Sequence, residues 1–206
     1  MTREDDARAT YTSARADGGD VPVQLGGSTL VVGPSGVGKT RLTARALDAW
    51  VAREGAGSVV VLEFAPELER DGHLLGGRLD RFTTVPDGAF HGVLDAHAPR
   101  SESDSEEAAV ALARDNARRA RRLLEAAPTP RAVFVNDATI PLQHDALGPT
   151  ALTRYCDRAA CAVVNAFEGD ELGTTDPVSR RERAALDHLS AWADRTRRLP
   201  EPGTPS

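Results

Sequence analysis

One loop of this chain, Gly33-Pro34-Ser35-Gly36-Val37-Gly38-Lys39-Thr40, matches the pattern G-x-x-x-x-G-K-[ST] at every fixed position. Glycines in such a loop let the backbone approach a ligand closely, so that successive N–H groups point inward at phosphate oxygens. Lys39 is suited to reach the β and γ phosphates, and the hydroxyl of Thr40 is suited to bind Mg²⁺. The loop, with Arg41 at its end, therefore predicts a binding site for a magnesium nucleoside triphosphate.

Lysine is used at one position only. Lys39 is the single lysine among the 25 lysine and arginine residues of the chain. The arginine guanidinium is a planar fork, whereas the lysine ammonium is a compact point charge that fits between two phosphates. A chain that otherwise uses arginine has thus kept lysine where a triphosphate requires it.

The segments around the loop follow the order of strand, loop and helix that this motif needs. Residues 28–32 form a short β-branched run before it, and residues 41–54 carry apolar side chains at helical spacing after it. Further core strands are predicted at residues 58–64, 81–85, 131–137 and 161–165, with helices at 106–127, at 151–160 and from about Asp176 through Leu199. Five strands alternating with helices predict a three-layer α/β fold, with a mainly parallel, doubly wound sheet between helices.

Composition supports one core-forming domain and argues against several classes of partner. The chain is 40% hydrophobic but only 4% aromatic, and its net charge of −6 disfavours nonspecific binding to nucleic acid. No apolar run approaches the roughly 18 residues that span a bilayer, and the polar N-terminus lacks the apolar segment of a signal peptide. Cys156 and Cys161 are too few for a disulfide framework, so we predict that both are buried. These features predict a cytoplasmic protein without a membrane partner.

An acidic residue follows the predicted strand at 131–137. Asp137 would place a carboxylate at the carboxyl end of that strand, beside the loop, where a Mg²⁺ ion on Thr40 needs a further partner. Asp137 is therefore our predicted Walker B residue. Asn136, just before it, would either orient water or a phosphate oxygen, or hydrogen-bond a neighbouring strand end.

A second carboxylate ends the strand predicted at residues 58–64. Glu63 follows an otherwise apolar run, so we predict that it lies beside the phosphates and polarises the water used in hydrolysis. The alternatives are Glu67 or Glu69 further along the chain, or an ordinary carboxylate of Glu63 paired with an arginine. The predicted catalytic residues are thus Lys39, Glu63 and Asp137.

These stretches resemble the RecA-like P-loop ATPases, including their KaiC-type relatives. The likeness lies in residues 26–33 leading into the loop, in a second strand that ends in glutamate, and in Asp137-Ala138-Thr139 at the end of the Walker B strand. It implies the P-loop NTPase fold, with Glu63 as the residue that polarises the attacking water. We accordingly predict a flexible arm at residues 1–20, a single P-loop NTPase domain at residues 21–199 and a flexible tail at residues 200–206.

The strand predicted at 161–165 bears on nucleotide choice. Asn165-Ala166-Phe167-Glu168 lies where MinD-like and signal-recognition-type NTPases contact the base, and GTPases carry N-K-x-D there. Alanine and glutamate replace the lysine and aspartate, so we predict ATP rather than GTP, with Asn165 either touching the base or acting as a plain strand-end residue. The loop itself is also similar to that of guanylate kinase.

Together these features predict an ATP-binding, Mg²⁺-dependent ATPase that is coupled to an unknown protein partner. Two alternatives stay open, a phosphotransferase acting on a small molecule and a nucleotide-binding regulatory module without useful turnover. The helix at 106–127 carries Arg114, Arg118 and Arg122 on one side. They form either an ordinary solvated face or, if the chain self-associates as many RecA-like proteins do, a source of one arginine that reaches a neighbouring copy's γ-phosphate.

Overall fold

A computed structural model describes residues 23–70, 73–75, 77–170 and 173–200. The strands are β1 (Gly27–Gly33), β2 (Val59–Glu63), β3 (Leu68–Arg70), β4 (His73–Leu75), β5 (Phe90–Val93), β6 (Ala132–Asn136), β7 (Cys161–Phe167) and β8 (Arg195–Arg198). The helices are α1 (Lys39–Glu54), α2 (Pro99–Glu102), α3 (Glu106–Ala126), α4 (Pro149–Cys156) and α5 (Pro177–Trp192). Single 3-10 turns lie at Leu79–Arg81 and Ile140–Leu142.

Six strands form one parallel sheet in the order β5-β2-β6-β7-β1-β8. Strands β3 and β4 pair with each other as a separate antiparallel hairpin. Parallel neighbours require crossover connections, which place helices against the faces of the sheet. The predicted α/β class and its mainly parallel sheet are confirmed.

The sheet separates two apolar cores, because alternate residues of a strand point to opposite faces. On one face Val31 and Phe134 pack with Leu47 and Trp50 of α1. On the other face the alternate residues of β1, β2, β6 and β7 pack with α3, α4 and α5, and the buried members of this core include Leu30, Leu62, Val135, Ala117, Leu152 and Leu189. The molecule therefore has three layers, with the sheet in the middle.

Helix ends follow the signals in the sequence. The side chain of Ser105 accepts the N–H of Ala108 at the start of α3, and Asp176 accepts the N–H of Ser179 at the start of α5. Pro177 occupies the first turn of α5, where its missing N–H costs nothing. Helix α3 ends just before Pro128, as the proline predicts.

Two predicted elements are wrong. Residues 81–85 contain no strand; the edge strand beside β2 is instead β5, and the Leu79–Arg81 turn leads into an exposed Phe82. The last helix ends at Trp192 and does not reach Leu199, since Arg195–Arg198 forms β8 along the edge of β1. A short edge strand with mostly exposed arginines has little apolar pattern to reveal it.

Smaller boundaries also differ from expectation. Residues 23–26 are irregular with bends, and α4 ends at Cys156 instead of residue 160. Both cysteines are buried and free, as predicted. None of the described helices is long and apolar enough to cross a bilayer. The predicted arm at residues 1–20 and all of the predicted tail except Pro200 lie outside the described residues.

Candidate functional site

A cavity of about 450 Å³ lies at the carboxyl ends of β1, β6 and β7. Ligands bind at this edge in open parallel sheets. Most of the residues predicted for the site meet here, and the cavity is lined by Ser35, Gly36, Gly38, Lys39, Thr40, Arg41, Ala65, Gly77, Arg81, Phe82, Asn136, Asp137 and Asn165. The sequence motif thus coincides with a concave site on the appropriate side of the sheet.

The loop between β1 and α1 has a backbone that glycine is needed to form. Gly36 and Gly38 have φ values of 76° and 95°, in the left-handed region that L residues avoid. Gly38 is also the N-cap of α1, where no side chain among the described residues accepts a hydrogen bond from the helix, and no acid occupies the first turn. The open N–H groups and positive end of α1 therefore face the cavity with no acidic side chain in the first turn of the helix, an arrangement that suits phosphate.

Lys39 is held by its own loop. Its Nζ donates hydrogen bonds to the carbonyl oxygens of Gly33, at 2.8 Å, and Pro34, at 2.5 Å. The same ammonium lies 5.9 Å from the ring centroid of Phe167. Its charge lowers the pKa of Asp137 against a larger opposing effect of burial, so the two groups interact across the cavity. Gly33 and Pro34 therefore position the lysine through their carbonyl groups.

Asn136 makes four side-chain hydrogen bonds at the cavity. Its Oδ1 accepts hydrogen bonds from Thr40 Oγ1, at 3.2 Å, and from Asn165 Nδ2, at 2.9 Å. Its Nδ2 donates to Glu63 Oε2, at 2.8 Å, and to the carbonyl of Gly77, at 2.7 Å. The side chain that contacts Thr40 is therefore Asn136. Of the two roles considered for Asn136, hydrogen bonding to neighbouring strand ends is the one observed.

Asn165 connects α1, β6 and β7 at the cavity by hydrogen bonds. Its Nδ2 also donates to Thr43 Oγ1, at 2.9 Å, and its Oδ1 accepts the backbone N–H of Asp137, at 2.9 Å. The residue is buried, and its amide spans α1, β6 and β7. All its side-chain polar atoms thus hydrogen-bond protein groups, while base contact by Asn165 stays a prediction.

Asp137 has an unusual backbone and an unusual carboxylate. Its φ of 58° lies in the left-handed region, which a non-glycine residue adopts at a cost in energy. Its Oδ1 is buried and accepts no hydrogen bond from the described residues. Burial raises the pKa of Asp137 to about 6, in spite of the nearby Lys39 charge. A buried, unpartnered oxygen with this pKa can bind a cation or accept a proton near neutral pH.

Glu63 is buried next to Asn136 and does not itself line the cavity. Its side chain is fully buried, Oε1 accepts the backbone N–H of Leu79 at 2.8 Å, and Oε2 accepts from Asn136. His91 Nε2 lies 3.9 Å from Oε1. Burial raises the pKa of Glu63 above its ordinary value. The Glu63 carboxylate accepts a hydrogen bond from Asn136 and so fixes the orientation of that amide. The role of Glu63 in polarising water stays a prediction.

Glu67, one of the two alternative glutamates, is paired with two arginines. Glu67 forms ion pairs with Arg81, at 3.0 Å, and with Arg78, at 3.4 Å. The side chain of Glu69 lies outside the described part of the structure. The effect of the Glu67 pairs is to hold Arg81 at the rim of the cavity.

The residues present fit a magnesium triphosphate. No group of three or more His, Cys, Asp or Glu side chains suited to a metal occurs among the described residues. Mg²⁺ in nucleotide sites, however, uses one or two protein oxygens together with phosphate oxygens and water. The hydroxyl of Thr40 and the unpartnered oxygen of Asp137 supply such a pair at the cavity, as predicted residues for the metal, whereas Asn136 Oδ1 already accepts two hydrogen bonds.

Three features of the site were missed by the sequence argument. Asn136 rather than Asp137 contacts Thr40, and only its place at a strand end pointed to it. Arg81 and Phe82 line the cavity from the turn after Leu79. Their contribution was hidden because residues 81–85 read as a strand.

Comparisons with known proteins assign no family to the chain. No protein-family model matches it. A search of curated proteins gives no significant match either. The function therefore has to be inferred from the chemistry of the site.

Replacing Glu63 with Gln is expected to flatten the dependence of stability on pH. Because the pKa of Glu63 is raised in the folded state, its contribution is fully present below about pH 4.5, the ordinary value, and is lost as pH rises through the folded-state pKa. Glutamine cannot ionise and lacks this loss. Urea denaturation of both proteins between pH 4 and 8 measures it.

Glu125→Gln is the matched control for that series, since Glu125 is exposed on α3. The control should follow the wild-type curve, whereas the Glu63→Gln curve should decline less with rising pH. Parallel curves for Glu63→Gln and wild type would show that Glu63 has an ordinary pKa in the folded protein.

Proposed function

We propose that this chain binds ATP with Mg²⁺ at residues 33–40 and hydrolyses it slowly, coupled to a protein partner. The observation that carries the proposal is the convergence of three features on one cavity. These are an uncapped helix start after a glycine loop, the Lys39 ammonium, and the buried unpartnered oxygen of Asp137. The resemblance to RecA-like ATPases supports the same activity, and the cytoplasm is the proposed location.

Binding is assigned to the loop and to the first turn of α1. The N–H groups after Gly36 and Gly38 donate to phosphate oxygens, and Lys39 neutralises their charge. Thr40 would bind the metal ion directly and Asp137 would be its outer partner, while Asn136, whose Oδ1 already accepts two hydrogen bonds, would position Thr40. When bound, Mg²⁺ neutralises charge on the phosphates and fixes their orientation.

Proton removal is assigned to Asp137. A carboxylate with a pKa of about 6 is mostly ionised at pH 7 yet still basic enough to take a proton from water at its free Oδ1. The backbone N–H of Asp137 is fixed by Asn165, which keeps the carboxylate in place. Glu63 then acts as a positioning residue, since it holds Asn136 while Asn136 contacts Thr40.

The proposal is tested by measuring phosphate release from ATP and from GTP, with Mg²⁺ and with EDTA, at several protein concentrations. The expected result is slow release that favours ATP and stops when Mg²⁺ is removed. A rate per molecule that rises with protein concentration would identify self-association as the coupling.

Other outcomes select the remaining activities. Binding of ATP without phosphate release would contradict the ATPase and leave the regulatory module or the phosphotransferase. Release that starts only when a small hydroxyl or amine compound is added, with a phosphorylated product, would identify the phosphotransferase. Failure to bind ATP at all would overturn the nucleotide site.

A further inference from the structure

A second cavity, of about 490 Å³, adjoins the first one along the loop. It is lined by Gly36, Val37, Gly38, Arg41, Leu42, Arg45, Phe82 and Leu199. Gly36, Gly38, Arg41 and Phe82 line both cavities. The two cavities are therefore parts of one groove that passes the phosphate loop.

Phe82 is conspicuous in this groove. Its side chain is 43% exposed, and Val93 is the other large apolar residue exposed among the described residues. A single exposed apolar side chain is ordinary on a protein surface. Phe82 differs because it borders both cavities and because the Arg41 guanidinium lies 5.3 Å from its ring centroid. An aromatic ring and a planar cation thus stand together beside the loop.

The position of Phe82 is fixed from two sides. The backbone N–H of Phe82 donates to the carbonyl of Leu79 at 2.9 Å, and the Leu79 N–H donates to Glu63. On the other side, the hydroxyl of Thr83 donates to Asp48 of α1. The ring is therefore presented by a turn that is tied both to the sheet and to the helix of the loop.

The second cavity has the chemistry that a nucleobase requires. Val37, Leu42 and Leu199 give it apolar walls, Arg41 and Arg45 give it positive charge, and no carboxylate of the described residues lines it. Flat bases stack on aromatic rings and on guanidinium groups, and this attraction depends little on which base is present. Phosphate in the first cavity would leave the base within reach of the second.

We propose that Phe82, with Arg41, stacks on the base of the nucleotide whose phosphates occupy residues 33–40. This inference rests on the proposed function, because the phosphates must first bind at the loop. It identifies the ligand as a nucleotide rather than a bare polyphosphate. It also makes Phe82 a residue for affinity and not for the chemical step.

The test compares two probes, an ATP analogue with an imido bridge between the β and γ phosphates and inorganic tripolyphosphate, both with Mg²⁺. Affinities are measured by titration calorimetry for wild type, Phe82→Ala and Phe82→Trp. Phe82→Ala is expected to bind the analogue about tenfold more weakly and tripolyphosphate unchanged. Phe82→Trp should restore affinity for the analogue, and its fluorescence should change with the analogue only.

Val93→Ala is the matched control, since it removes the other exposed apolar side chain and lies on the outer strand β5. It should bind both probes as wild type does. Two results would overturn the stacking role. One is that Phe82→Ala binds the analogue as tightly as wild type does. The other is that the wild-type protein binds the analogue and tripolyphosphate with equal affinity. In both cases tripolyphosphate binding would leave the proposed phosphate site standing, whereas binding of neither probe would overturn both.

Discussion

Lys39→Ala is expected to weaken the binding of a magnesium triphosphate by about 100-fold. Lys39 is the only lysine of the chain, and a hydrogen bond to a charged partner contributes about 1.5–3 kcal/mol. The variant should fold, because the Lys39 hydrogen bonds to Gly33 and Pro34 lie within the loop itself and Lys39 is not a member of either apolar core. Calorimetric titration with the imido ATP analogue measures the loss directly.

Two further variants make the Lys39 result specific. Arg53→Ala removes a positive charge from the same helix at a 62% exposed side chain, and it should bind the analogue as wild type does. Lys39→Arg keeps the charge but replaces a compact ammonium with a planar fork, so most of the affinity should still be lost. Equal affinity of Lys39→Ala and wild type would remove the loop from nucleotide binding.

The single lysine also permits a test that needs no substitution. Apart from the terminal amine, Lys39 is the only primary amine that an amine-selective reagent can modify. The analogue should protect Lys39, but not the terminal amine, from modification. Peptide mass spectrometry separates the two sites, and modification of Lys39 at an unchanged rate would contradict contact with the phosphates.

The strands that can be predicted from the sequence are those with both faces buried. Strands β2, β6 and β7 are continuous apolar runs because both faces are covered by helices, and such runs are easily recognised. Strand β8 was missed because three of its four residues are exposed and its backbone pairs with one neighbour only. The Thr83-Thr84-Val85 run gave the opposite error. Its β-branched side chains predicted a strand, but the run lies in a loop next to α1.

The site shows where pattern reasoning stops. Successive side chains of a strand alternate, so the letters Asn136-Asp137 cannot say which one faces Thr40. In the structure Asn136 takes that contact as the last residue of β6. Asp137 then leaves the strand with a φ of 58°, which brings both side chains to the cavity. A left-handed residue outside glycine has no reliable sequence signature.

Asp137→Asn is expected to lower the rate of ATP hydrolysis by a factor of about 10²–10⁴, the usual effect of losing a general base. Asparagine has nearly the same shape, so the imido ATP analogue should still bind. In wild type the rate should rise with pH as Asp137 loses its proton and then level off, with a midpoint below about 6 because the Mg²⁺ charge favours the carboxylate. The residual rate of the variant should lack this rise.

Asp137→Asn should raise the free energy of unfolding at pH 7, although it lowers the rate of hydrolysis. The difference between a pKa of about 6 and the ordinary 3.8 corresponds to about 3 kcal/mol, at about 1.36 kcal/mol per pH unit. Because the pKa of Asp137 is raised, this stabilisation is present below pH 3.8 and lost as pH rises through about 6. Asp137→Asn should therefore be more stable than wild type at pH 7, by up to about 3 kcal/mol in urea denaturation. An unchanged or lower stability of Asp137→Asn at pH 7 would show that the pKa of Asp137 is not raised in the folded protein.

Comparison with Glu63→Gln and Asp145→Asn decides which carboxylate takes the proton. Asp145 is exposed and pairs with Arg181, so Asp145→Asn should leave turnover unchanged. Glu63→Gln should reduce turnover less than Asp137→Asn, because Glu63 has no exposed surface and reaches the cavity only through Asn136. If Glu63→Gln instead abolishes turnover while Asp137→Asn retains it, Glu63 is the base. The Leu79 N–H and the Gly77 carbonyl must then move away from the Glu63–Asn136 pair before hydrolysis can occur.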